Sequence, residues 1–159
     1  MTSMNLASAV SFAVLLPALL VAHTVADHWV QTDHQAGRKG LPGWAGRWAC
    51  GKHVATYTMV TTLAVLAAWT LFALPLTVTG VAVGQAISAV THYWADRRTT
   101  LARLAALTGS RDFYRLGAPR PGRDDNPSLG TGAYALDQSW HWLWLAVAAA
   151  VTALAGGGA

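Results

Sequence analysis

The basic residues of this chain are confined to its middle. None of the eleven Lys and Arg precedes Arg38 and none follows Arg123; they form two blocks, residues 38–52 and 97–123. Outside these blocks run long apolar stretches with no cation to face water. A soluble domain is about a quarter charged, whereas this chain is 53% hydrophobic and 11% charged. Such a pattern argues against a soluble surface and predicts membrane helices. It also turns the +4 net charge away from nucleic acid, since no aromatic–basic interleaving or DNA-reading motif accompanies it. Cys50 is alone, so no internal disulfide exists.

Four apolar runs fit four spans, at about 6–31, 53–74, 79–97 and 134–154. No basic residue precedes the first, as a signal peptide would require, so it reads as a retained helix. The second covers roughly 30 Å at 1.5 Å per residue, and Pro75 ends it. Residues 35–52 and 98–132 read as loops from their glycines, prolines and basic residues. Within the latter, residues 99–108 keep a helical apolar face, either extending span three or lying at the interface. Ser110 is a candidate cap for a short following turn. The predicted fold is therefore all-α: one domain over residues 1–159, an integral membrane bundle of four transmembrane helices. A short interfacial or cytoplasmic helical segment lies between spans three and four. The positive-inside rule places both basic loops in the cytoplasm and both termini outside.

That topology gathers polar residues at one depth. His23 and Asp27 close span one, His53 opens span two, His92 and Asp96 close span three, and Asp137 and His141 open span four. Each His/Asp pair is four apart, on one helix face. Gln85 and Ser88 continue the span-three face toward the membrane centre. Ionisable groups in membrane helices are costly and turn inward to partners. A divalent cation lets several carboxylates share a site and accepts imidazole and carboxylate ligands. The expected metal set is thus His23, Asp27, His53, His92, Asp96, Asp137 and His141, enough for one ion with supporting hydrogen bonds or for two. Zinc leads among the candidate metals. His23, Asp27, His92, Asp96 and His141 are expected as direct ligands; His53, alone on its span, and Asp137 join as ligands or supports. A single His/Asp pair is commonly an intrahelical hydrogen bond, but three pairs and His53 at one depth favour a functional site.

Other candidates are weaker. His28 points about 100° away from the His23/Asp27 face. Asp33 and His34 are expected in water. Cys50 is expected as a small buried hydrophobe, and Asp124 and Asp125 as turn residues before Pro127. Seven of the eight tryptophans lie near the cytoplasmic face as interfacial anchors. His23-Thr-Val-Ala-Asp27 and His92-Tyr-Trp-Ala-Asp96 share H-x-x-A-D, which suggests two parallel repeats.

The segments HTVADHWVQ (23–31), HYWAD (92–96) and LDQSWH (136–141), with His53, resemble the small bacterial membrane proteins grouped as domain of unknown function 3307. The resemblance covers residues 23–145 and implies the bacterial inner membrane; it brings no activity with it. In style the chain also resembles membrane-bound metal-dependent hydrolases. Two function classes follow. One is a metal-dependent hydrolase acting at the cytoplasmic interface on a lipid-like, phosphate-bearing or peptide substrate, the basic loops attracting an anionic head group. The other is a non-enzymatic membrane protein, either a small metal or proton carrier or an assembly partner whose cluster locks helix packing. An enzyme needs an open, reachable site; a packing cluster should be closed and satisfied. A bundle this small can also pair as a homo-oligomer through its Gly and Ala faces.

Overall fold

Runs of Ala, Leu and Val without internal charge favour continuous helix. In the computed structural model, which describes residues 3–119 and 131–156, the first run forms α1 (Ser3–Val25), with Pro17 inside it. The helix then widens into a π turn, Ala26–Val30, closed by Gln31 N–H donating to the Ala26 carbonyl at 2.9 Å. Thr32 caps α2 (Asp33–Arg38): its hydroxyl accepts from Gln35 N–H while the Gln35 side chain accepts from Thr32 N–H. These two bonds satisfy amides that a helix start leaves open. The other helices are α3 (Gly43–Leu71), α4 (Val78–Asp96), α5 (Thr99–Leu107), α6 (Arg111–Tyr114) and α7 (Gly132–Gly156). No strand occurs among the described residues.

Two expectations about the first loop change. Residues 33–38 are helical, and α3 begins at Gly43, ten residues before the expected start of span two. The glycines suggested a loop, but Gly46 serves close approach. A Cβ there would come within 1.9 Å of the Leu41 carbonyl oxygen, so glycine lets the chain fold tightly onto the helix it enters. Residues 99–107 form a separate helix rather than an extension of span three. Ser110 precedes α6 without a side-chain capping bond. Asp124 and Asp125 lie outside the described residues.

The long helices form a four-sided bundle. α1 packs on α3 and α7, and α4 packs on the same two, so α1 faces α4 across one diagonal and α3 faces α7 across the other. Adjacent helices are antiparallel. One end is filled by Leu15, Leu19, Val65, Leu145 and Ala149, all buried. There α4 and α7 touch closely at Gly84, where a Cβ would lie 2.9 Å from the Ala148 carbonyl oxygen. Such small-residue contacts suit membranes, where lipid is as apolar as leucine and packing must hold the helices together. Large apolar side chains cover the outside, among them Val21, Met59, Leu63, Leu71, Val90 and Leu143, while His23, His53, His92 and Asp96 are buried. This inverts a soluble protein and fits contact with lipid.

Three segments are long and apolar enough to cross a membrane: Leu6–Val30, Gly43–Leu71 and Gly132–Gly156. The fourth expected span, α4, has 19 residues. That is about 28 Å at the helical rise, but its glycines and polar side chains lower its hydropathy.

Candidate metal centre

The diagonal arrangement decides which side chains meet. Residues at the polar end of α1, α3, α4 and α7 point toward one axis. His53 on α3 lies between the two helices that carry H-x-x-A-D. Its Nε2 is 3.0 Å from His92 Nε2, 3.4 Å from Asp27 Oδ1 and 3.2 Å from Asp96 Oδ2. His92 Nε2 is 3.5 Å from the same Asp27 oxygen and 3.2 Å from the same Asp96 oxygen. Two ring nitrogens and two carboxylate oxygens therefore converge. His53, expected to stand apart because it has no partner on its own helix, is at the centre. What places it there is its helix's position between α1 and α4, which intrahelical spacing does not reveal.

Around this quartet lie the other expected residues. His23 Nδ1 is 3.7 Å from Asp27 Oδ2, and its ring stacks on His141 with centroids 4.9 Å apart. His141 Nδ1 donates to the Asp137 carbonyl at 2.8 Å and lies 3.6 Å from Asp137 Oδ2. Three triads have ligand atoms within 4.8 Å of one another: His23, Asp27 and His92; His53, His92 and Asp96; Asp96, Asp137 and His141. All seven expected residues are thus brought to one end of the bundle.

Hydrogen bonds close the cluster only in part, His53 Nε2 pairing with His92 Nε2. His23 Nδ1, His53 Nδ1, His92 Nδ1, His141 Nε2, Asp27 Oδ1 and Asp96 Oδ2 are buried without a hydrogen-bond partner. The two carboxylate oxygens approach the ring nitrogens without the geometry of a hydrogen bond. Orphaned polar atoms are expensive in an interior and call for an explanation. Charge makes the same demand. Asp27, Asp96 and Asp137 carry three negative charges, and Lys39, whose Nζ lies 2.8 Å from Asp96 Oδ1, returns one. Were the imidazoles neutral, one divalent cation would match the remainder.

Below the quartet the site is firmly supported. Tyr57 stacks on His92 with centroids 3.8 Å apart, and its hydroxyl is 2.7 Å from Ser88 Oγ. One turn deeper, Thr61 Oγ1 donates to Gln85 Oε1 at 2.9 Å. Above it opens a cavity of about 460 Å³, bordered by Asp27, Asp96, Asp137, Lys39, Arg98 and Tyr134.

The profile of the family described as protein of unknown function (DUF3307) matches residues 15–156. The chain belongs to this family. No curated protein and no solved structure matches it. The DUF3307 match spans both H-x-x-A-D segments, His53 and the α7 motif.

Several contributors to this DUF3307 site escape a reading of the sequence. Lys39 reads there as a topology marker, yet it ion-pairs with Asp96. The signal was the capping box Thr32–Gln35, which folds the following residues back as a helical turn. Arg97 fixes that turn on the end of α4, donating to the carbonyls of Lys39 and Leu41, both at 2.6 Å. The π turn that carries Asp27 toward α3 and α4 had no sequence signal; such turns recur at functional sites. Gln138, 3.4 Å from His23 Nε2, sits inside LDQSWH. The weaker candidates stay outside the quartet. His28 is exposed, bonds the Thr24 carbonyl and lines the adjoining cavity. Asp33 and His34 are exposed. Cys50 is buried, its thiol 3.7 Å from the Tyr93 carbonyl.

Proposed function

We propose that this DUF3307 member is a metal-dependent hydrolase working at the cytoplasmic face of the inner membrane. The observation that carries the reading is the quartet of Asp27, His53, His92 and Asp96. Five of its interatomic distances fall between 3.0 and 3.5 Å. Donors about 2.0–2.2 Å from a tetrahedral zinc ion are separated by about 3.3 Å. The mix of imidazole and carboxylate donors suits zinc, and zinc is the ion we propose. His23, His141 and Asp137 flank the quartet as further ligands or as the partners that orient it.

A bound cation supplies Lewis acidity and lowers the pKa of coordinated water. The chain's own residues provide the rest. Asp27 and Asp96 hold the site's charge, with Lys39 fixing one Asp96 oxygen. Asp137, whose side chain is 29% exposed, borders the cavity and is placed to accept a proton from water there. A cluster that only locks packing predicts satisfied hydrogen bonds and no open approach, whereas a metal or proton carrier shares the open site and is separated from the enzyme by turnover. The orphaned atoms and the adjoining cavity favour an open site over a packing cluster.

The orientation follows from the basic loops. α4 counts as the fourth span because it runs antiparallel between α3 and α7, which are long enough to cross. Labelling single cysteines at Asn126 and at the C-terminus should find them on opposite sides; the same side refutes four spans. For the activity, the purified protein is incubated with model phosphate, carboxylate and peptide esters, with and without a chelator. Chelator-sensitive turnover of one class is expected. No turnover of any class by metal-replete protein would sink the enzyme reading.

A further inference from the structure

Arg98 stands where α4 hands over to α5, with φ +53°. Residues with a Cβ seldom adopt that conformation, and held outliers cluster at ligand clamps and active sites. Its side chain also has a cleared path. A Cβ at Gly40 would come within 2.8 Å of Arg98 Cδ, so glycine there makes room for the arginine stem. Arg98 lines the cavity together with Asp27, Asp96 and Asp137. It has five N–H donors, and Nη2 makes one long bond, 3.3 Å, to the Ala36 carbonyl.

Two tyrosines line the same space, Tyr114 and Tyr134. Burial pushes the Tyr114 phenol up from its ordinary value, so it remains a donor at neutral pH. With Lys39 engaged by Asp96 and a divalent cation balancing Asp27, Asp96 and Asp137, Arg98 pairs with no carboxylate among the described residues. A planar fork beside hydroxyl donors matches the several oxygens of a phosphoryl group better than one carboxylate. The cavity volume is in the range of small-molecule sites.

We infer that Arg98, with Tyr114 and Tyr134, forms a phosphoryl-binding subsite facing the metal centre, and that the substrate class is a phosphate ester. The inference rests on the metal centre proposed above. Hydrolysis there would break the ester P–O bond, the water oxygen joining phosphorus and a proton leaving with the alcohol.

The test uses metal-loaded full-length protein in detergent, wild type against Arg98→Gln. Inorganic phosphate is titrated by calorimetry. Fluorescent phosphatidic acid is titrated beside diacylglycerol carrying the same label. Arg98→Gln should keep its metal and lose about tenfold or more in phosphoryl affinity, as loss of charged hydrogen bonds implies. Arg98→Lys keeps stem and charge, guards against a folding failure, and should fall between. Loss for both phosphate probes assigns recognition to the phosphoryl group itself; loss for phosphatidic acid alone assigns it to a lipid head group. Unchanged affinity in a metal-retaining Arg98→Gln, or equal binding of phosphatidic acid and diacylglycerol, overturns the subsite and leaves the metal centre standing. Wild-type protein that takes up no metal overturns the metal centre, and the subsite with it.

Discussion

The two ends of the bundle are built on the same helix faces and do opposite things. Along one face of α3 the buried residues run His53, Tyr57, Thr61, Val65 and Ala68. Along α4 they run from His92 through Ser88 to Gly84 and Gly80. At the apolar end, leucine, valine and glycine fill the space, and α4 and α7 come close enough that no Cβ fits at Gly84. At the polar end, the same helix spacing brings His53 Nε2 and His92 Nε2 within hydrogen-bond distance of each other and leaves Asp27 Oδ1 and Asp96 Oδ2 beside them without a hydrogen-bond partner. One end supplies packing; the other leaves polar capacity unspent. If the site is a metal centre, the difference means that the packing beneath holds the cluster open and that the cluster does not create the bundle.

That contrast can be tested from both sides. The largest effect is expected from Gly84→Leu. The added side chain meets backbone on α7, which cannot yield as a flexible side chain does, so the bundle should fail to assemble. Size-exclusion profiles and thermal melts in detergent would then show no folded species; a stable variant would mean the α4–α7 contact is loose. Next is Leu145→Ala, one turn below His141. A large-to-small change at a fully buried site costs about 2–5 kcal/mol, read as a lower melting temperature with metal content unchanged. Loss of metal at intact stability would show the two ends are not separable in this way.

Tyr57→Phe removes the hydroxyl facing Ser88 but keeps the ring on His92. The expected cost is about 1 kcal/mol, with metal retained. A larger loss of metal than of stability would place the hydroxyl within the site's working machinery. His34→Ala, on exposed α2, should match the wild type in melting temperature and metal content. Any metal loss there would move the site toward α2.

Features carried by periodicity are legible in the amino-acid sequence itself. The apolar runs mark the long helices, and the four-residue spacing of His23/Asp27, His92/Asp96 and Asp137/His141 marks which faces turn inward. What stays hidden depends on relations between elements. The central place of His53 follows from α3 lying between α1 and α4. Lys39 reaches Asp96 only because a capping box turns residues 33–38 back as helix and Arg97 holds them there. The early start of α3 is masked by glycines whose purpose is close approach. α4 is the instructive case: the glycines and polar residues that shape its inward face leave it outside the three segments long and apolar enough to cross a membrane.

The most direct test is metal content per chain, measured by elemental analysis on protein purified in mild detergent, for wild type, His92→Ala and Asp96→Asn. Insertion depends on apolar length, so all three should reach the membrane and purify. Wild type should carry stoichiometric divalent metal. Both variants should carry little, because losing a ligand exceeds the about tenfold to hundredfold that even a supporting contact costs. Wild type without stoichiometric metal under any mild preparation, with His92→Ala merely less stable, would contradict the metal centre and identify the cluster as packing.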